Sequence, residues 1–172
     1  HTGTHVDAPV HWVTGRRGAD VSQLALTQLV APAVVVDVAE RAAEDADFLL
    51  TVDDVRKWQA ANGPLPAGGW LLLRTGWDER STDAERFLNA DETGPHSPGI
   101  SAECARWLAE ETPVIAIGVE TVGTDAGAAH GFEPPFPCHS YFLGAGKYGL
   151  TQLQNLARLP ARGAVVLAAP LP

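Results

Sequence analysis

Methionine is absent from these 172 residues, and cysteine occurs only as Cys104 and Cys138. Two cysteines so far apart form neither a CxxC metal knuckle nor the framework of a disulfide-stapled domain. Cationic side chains are scarce as well: 12 Lys and Arg stand against 21 Asp and Glu, a net charge of −9. Phosphate backbones need clustered Lys and Arg, so nucleic acid is excluded as a partner. No apolar run approaches the roughly 20 residues that span a bilayer, and nothing reads as a signal peptide. These absences predict a cytoplasmic protein with a small-molecule substrate and no membrane partner.

A hydrophobic content of 45% with 19% charged residues belongs to an ordinary globular chain. The length suits one domain with a real core. Its first residue is His1 and its densest functional motif starts at once, yet metal ligands seldom work from a frayed end. Residues 1–172 are therefore expected to form a single domain that lacks N-terminal and C-terminal parts of a longer protein.

Strand and helix signals alternate. Ala33 to Val38, Trp70 to Arg74, Val114 to Val119 and Gly163 to Ala168 are short apolar runs that predict buried strands. Thr51 followed by Asp54 predicts a capped helix running to Gly63. Asp83 to Leu88 predicts a short helix, and Ser101 caps another through Glu110 with Cys104, Trp107 and Leu108 on one stripe. The alternation predicts an α/β fold. Long loops at 13–20, 91–100 and 123–137 are candidate functional segments.

The chemistry concentrates in His1-Thr2-Gly3-Thr4-His5-Val6-Asp7-Ala8-Pro9-Val10-His11. His1, His5, Asp7 and His11 are potential ligands or proton carriers, and imidazole with carboxylate suits zinc, manganese or iron better than calcium. All occupy odd positions, so extended backbone places them on one face. A straight strand would still hold His1 and Asp7 roughly 20 Å apart at about 3.3 Å per residue, too far for one ion with ligand bonds near ~2 Å. The segment must bend, and Gly3 permits it. Three protein ligands leave a position open for water, the arrangement of a catalytic metal site. His11, four residues beyond Asp7, is placed to act as general base or acid.

This segment resembles the HxGTHxDxPxH signature of the cyclase-like metal hydrolases, a family that includes bacterial kynurenine formamidases and isatin hydrolases. Leu73-Arg74-Thr75-Gly76-Trp77, Ser97-Pro98-Gly99-Ile100-Ser101, Ile117-Gly118-Val119-Glu120-Thr121 and His139 through Leu156 extend the likeness. The resemblance implies a swivelling β/β/α fold, a mixed sheet with flanking helices, assembled as a homodimer or homotetramer with the site near a subunit contact. It implies that His1, His5 and Asp7 hold the metal, that His11 handles proton transfers, and that His139 completes the catalytic site.

One departure bears on the ion count. Kynurenine formamidases carry a Glu about twelve residues after the distal His, where it helps hold a second metal. That position here is Thr151, and no carboxylate lies between Lys147 and Pro172. A neutral hydroxyl is a poor bridge between two dications, so one divalent ion, manganese or zinc, is expected. His139, Thr151 and Gln152 would then hold water or a substrate oxygen, or, in the two-metal alternative, the second ion.

Trp12, Phe136 and Tyr141 are candidates for an aromatic pocket wall, with core packing as the alternative. Glu120 reads either as a partner orienting a ligand histidine or as a strand-end carboxylate. His96 and His130 read as exposed loop residues and Asp125 as a turn residue. Cys138 beside His139 does not read as a nucleophile, because neighbours along a chain point apart. The expected reaction is hydrolysis of a C–N bond in a small amide or lactam, N-formyl aryl amide or isatin-like. A metal-dependent cyclase or dehydratase and a non-catalytic metal-dependent binding protein are the alternatives.

Overall fold

Val34, Val35 and Val36 are stiff at χ1 and suit a pleated, buried surface. They occupy the middle of the longest strand. The computed structural model describes residues 3–170. In chain order the main sheet contains β1 (His5–Asp7), β2 (Val30–Asp37), β3 (Trp70–Arg74), β4 (Ala116–Val119), β5 (Tyr148–Thr151) and β6 (Arg162–Leu167). Across the sheet the order is β1-β5-β4-β3-β2-β6. The four middle strands are mutually parallel, and both edge strands run antiparallel to their neighbours. The carboxyl ends of β2, β3, β4 and β5 therefore open on one edge, where open α/β sheets hold ligands.

Parallel strands covered on both faces are apolar along their length rather than alternating; Trp70 to Leu73 are all buried. Besides a single turn at Leu26–Leu29, the α-helices among the described residues are α1 (Ala39–Glu44), α2 (Val52–Asn62), α3 (Ala84–Leu88) and α4 (Ala102–Glu111). The expected box at the start of α2 is present, with Asp54 N donating to Thr51 Oγ1 and Thr51 N donating to Asp54 Oδ2. Helix α2 ends at Gly63, whose φ of 92° suits glycine. Ser101 Oγ accepts from Cys104 N and starts α4.

On one face of the sheet, Val55 from α2 and Cys104, Ala105 and Leu108 from α4 pack with Val34, Val36, Leu71, Leu73, Ile117 and Val119. On the other face Ala33, Val35, Trp70, Leu72 and Leu150 pack under Leu24, Leu29 and Leu156, from turns rather than long helices. No helix among the described residues is long and apolar enough to cross a membrane.

Three elements depart from the sequence expectations. Helix α1 had no periodic signal; Asp37 Oδ1 starts it by accepting from Ala39 N at 3.0 Å. Strand β5 contains Gly149 and has no strand signature, but it is held between β4 and β1 by pairing on both sides. The segment after the long 123–137 loop is a π-helical turn, His139–Leu143, a wide helical turn found mainly at functional positions.

Candidate metal centre

Strand β1 pairs with β5 in the register His5↔Thr151, Val6↔Leu150 and Asp7↔Gly149. Alternation turns Val6 toward the core under the sheet and sends His5 and Asp7 to the opposite side. Gly3 takes a φ of 143° just before the strand, the bend that glycine was expected to allow. After Ala8 the chain winds into one 3-10 turn, Pro9–His11, with Pro at its start, where no backbone donor is required. That turn swings His11 back over Asp7.

Asp7 is almost completely buried, and its two oxygens face different imidazoles. Oδ1 lies 3.6 Å from His5 Nε2 and 4.0 Å from His11 Nε2, while Oδ2 lies 3.9 Å from His139 Nε2. These gaps are too long for hydrogen bonds. They suit donors that each stand about 2 Å from a shared ion. Ligand atoms of Asp7, His11 and His139 all fall within 4.8 Å of one another.

The second ring nitrogens decide which way the lone pairs point. His5 Nδ1 is 2.7 Å from Gly3 O; a carbonyl only accepts, so Nδ1 carries the proton and the Nε2 lone pair turns to Asp7. His139 Nδ1 is 2.5 Å from Asp125 Oδ2. Asp125 is buried and already accepts from Cys138 N at 2.6 Å and His139 N at 3.1 Å, so His139 donates there and its Nε2 lone pair also faces Asp7. The lone pairs of His5 and His139 thus face the two oxygens of one carboxylate, and the ligand atoms of Asp7, His11 and His139 share one small volume. Such groups repel one another unless a cation lies among them, and a divalent ion fits this donor set.

His1 lies outside the described residues. Asp7, His11 and His139 come together as a group, and His5 joins it through Asp7. Thr151 is fully buried, and its hydroxyl lies 3.1 Å from His5 Nδ1, so it serves the ring of His5. Gln152 accepts from Thr4 Oγ1 at 2.7 Å through its backbone oxygen, which ties the bend to the end of β5. Trp12 and Phe136 stand edge to face with centroids 5.4 Å apart, and Trp12 lies 4.8 Å from His139. Tyr141 instead packs against the core on the α4 side.

The turn reading of Asp125 is corrected: its carboxylate is buried and orients His139. Its place in a Gly-rich stretch hides this role, and the hint in sequence is an acid among small residues between a strand and the distal histidine. Glu120 resolves to the strand-end alternative. It is 1% exposed, and its Oε2 accepts from Thr75 N and Gly76 N, each at 2.7 Å, and from Thr75 Oγ1 at 3.1 Å. Burial first, and the nearby Asp78 carboxylate with it, push its carboxyl above the usual range despite these hydrogen bonds. His130 is exposed, whereas His96 is partly buried between Asp47 and Asp91, 2.7 Å and 3.2 Å away, and apart from the cluster. Cys138 is buried and burial raises its thiol far above the ordinary value, the opposite of what a nucleophile needs.

The Cyclase family model, described as "Putative cyclase", matches residues 1–126. The isatin hydrolase of Roseibium aggregatum is 46% identical over 173 residues, 99% of this chain and 65% of that protein. Cyclase-like protein 2 of Oryza sativa subsp. japonica is 30% identical over 146 residues, 83% of this chain and 46% of that protein. Among solved structures, an isatin hydrolase bound to the product analogue thioisatinate superposes with a TM-score of 0.95 at 46% identity, over 98% of this chain and 65% of that one. Isatin hydrolase A from Ralstonia solanacearum gives 0.96 at 48% identity with the same coverage. The chain thus spans 65% of the length of these isatin hydrolases.

Proposed function

This chain belongs to the Cyclase family, and on that premise we propose that it carries the metal centre of a hydrolase opening the C–N bond of a small amide or lactam. The observation that carries this reading is the meeting of the His5 and His139 lone pairs with both oxygens of buried Asp7 at 3.6 Å and 3.9 Å. The likeness to isatin hydrolases supports an isatin-like lactam as substrate, with an N-formyl aryl amide as the related class.

In this proposal His5 and Asp7, together with His1, hold one manganese or zinc ion. A divalent ion there supplies positive charge that polarises a carbonyl and acidifies water. His11, whose side chain is 52% exposed, would take the proton that the attacking water releases at its Nε2 and pass that proton to the departing nitrogen as the C–N bond breaks. With Nδ1–H donating to Asp125 Oδ2, His139 offers a lone pair at Nε2 and accepts a hydrogen bond from the attacking water. Trp12 and Phe136 form the flat wall for an aromatic ring. A second ion on Asp7, His11 and His139 is the specific alternative, because their donor atoms also converge. Thr151 in place of a carboxylate argues for the single ion. The proposal includes a cytoplasmic setting, which suits two buried cysteines without a disulfide, and a homodimer or homotetramer.

Elemental analysis, with isatin turnover before and after dialysis against a chelator, tests this reading. The expected result is one ion per chain, activity lost on dialysis and restored by manganese or zinc, and a product heavier by one water. Full activity after complete removal of the ion refutes it. Two ions per chain refute the one-ion assignment alone.

A further inference from the structure

Among the described residues, three buried side-chain polar atoms have no hydrogen-bond partner: Arg74 Nε, Glu120 Oε1 and Gln152 Nε2. They are not scattered. Arg74 ends β3, Glu120 directly follows β4 and Gln152 directly follows β5. These strands are adjacent and parallel, so all three atoms lie along the carboxyl edge of the sheet, where ligands bind in open α/β folds. Burying a polar atom without a partner costs free energy, and native structures rarely leave one in that state without a reason.

Two of the three share a space. Glu120 and Gln152 line a cavity of about 410 Å³ together with Gly3, Thr4, Ser81 and Phe87. Arg74 lines a different cavity, with Thr75 and Gly76, and plays no part. Glu120 is held firmly by the three donors on its Oε2, which leaves Oε1 as an acceptor with nothing to accept. Gln152 is also held, its N–H donating to Thr121 O at 3.1 Å and its carbonyl accepting from Thr4 Oγ1. Its φ of 56° is left-handed, which a side chain with a Cβ adopts only where the surroundings require it.

The hydrogen-bonding pattern narrows the guest. A carboxylate has no hydrogen to give Glu120, and an ammonium has no lone pair for Gln152. A carboxamide or lactam carries a donor and an acceptor on neighbouring atoms. We propose that this cavity is a carboxamide-binding subsite in which Glu120 Oε1 accepts the ligand N–H and Gln152 Nε2 donates to the ligand carbonyl. It adjoins the metal centre along the chain, through Thr4 beside His5 and Gln152 beside Thr151, yet its binding needs neither the ion nor turnover. Its ligand class is that of the proposed substrate, so it holds an amide next to the centre without performing chemistry on it.

Titration of the purified chain with 2-pyrrolidinone, which has one N–H and one carbonyl, tests the subsite. The signal is the Gln152 side-chain amide in 1H–15N NMR spectra. A saturable shift is expected, at least tenfold weaker for N-methyl-2-pyrrolidinone, which has no N–H. Glu120→Gln turns an N–H into the cavity in place of the acceptor and should weaken 2-pyrrolidinone binding about tenfold. The absence of a saturable shift, as from a cavity holding ordered water alone, overturns the proposal. So does equal affinity for the two lactams, or unchanged affinity in Glu120→Gln. Should that variant fail to fold, the two lactams on the parent chain decide. A hydrolase test that fails leaves this outcome untouched, since no bond is broken here.

Discussion

Asp125 Oδ2 lies 2.5 Å from His139 Nδ1 while Asp125 Oδ1 takes the Cys138 amide hydrogen at 2.6 Å. One buried carboxylate therefore sets both the backbone that starts the π-helical turn and the nitrogen that His139 presents to Asp7. Loss of such an orienting partner commonly costs about 10- to 100-fold in metal affinity or activity. Because His139 faces the water rather than the ion in the proposed site, Asp125→Asn is expected to lower isatin turnover by that factor with ion content unchanged, measured by rate and elemental analysis. Parental turnover in the variant would show that His139 is oriented by packing alone.

His11 differs from the other members of the group in its exposure. As a proton carrier rather than a ligand, its loss should reduce turnover by about 10²- to 10⁴-fold while ion content stays at the parental value. His11→Ala analysed for both rate and metal separates the roles. A variant that loses the ion together with its activity makes His11 a ligand.

Gly149 faces Asp7 across the β1–β5 pair. A methyl group there would lie 2.7 Å from Thr124 Cγ2 and 3.4 Å from Asp7 Cβ and Oδ2. Overpacking of this kind costs about 1–3 kcal/mol, and a domain of this size loses roughly 2–4 °C of Tm for each kcal/mol. Gly149→Ala should melt several degrees lower and bind the ion more weakly. An unchanged Tm in a calorimetric scan would mean that Thr124 yields without cost.

His96 clasps two loops by facing Asp47 with one ring nitrogen and Asp91 with the other. The hydrogen bond to Asp47 chiefly, then that to Asp91, raises the imidazole above its ordinary value. Asp91 is lowered to about 2, first by the Thr93 hydroxyl and then by the Thr93 amide. The folded state thus holds the His96 proton more tightly than the unfolded chain does. That contribution is complete below the unfolded histidine value near ~6.5 and disappears as pH rises through the raised folded value. The Asp91 contribution holds above the unfolded carboxylate value near ~3.9 and is lost as pH falls toward about 2. Urea unfolding should show the clasp strongest between about pH 4 and 6.5. Glu120, raised by burial, adds a loss in the same direction at higher pH, so the comparison is with His96→Gln. That variant should lose less stability than the parent between pH 6 and pH 9, and an equal loss rules the clasp out.

The legible parts of the fold are those whose cause is local. Asp54 reaches back to Thr51 within one turn, and the apolar run at Trp70 to Leu73 announces a strand buried on both faces. Strand β5 carries no such signal, because Gly149 breaks its alternation and its conformation comes from partners on both sides. Among the site residues, His5, Asp7 and His11 stand close together in the chain and so show themselves by spacing. Asp125 and Trp12 meet His139 only through folding. Tyr141, close to His139 in the chain, turns the other way on the π-helical turn.

By itself the sequence determined the donor set: two-residue alternation in β1 puts His5 and Asp7 on one face, and Gly3 and Pro9 place the bends around them. The tertiary structure alone decided which lone pairs meet. Imidazole orientation depends on a proton acceptor that the chain supplies from elsewhere, Gly3 O for His5 and Asp125 for His139. The second of these comes within reach only when the 123–137 loop folds beside β5 at the edge of the sheet.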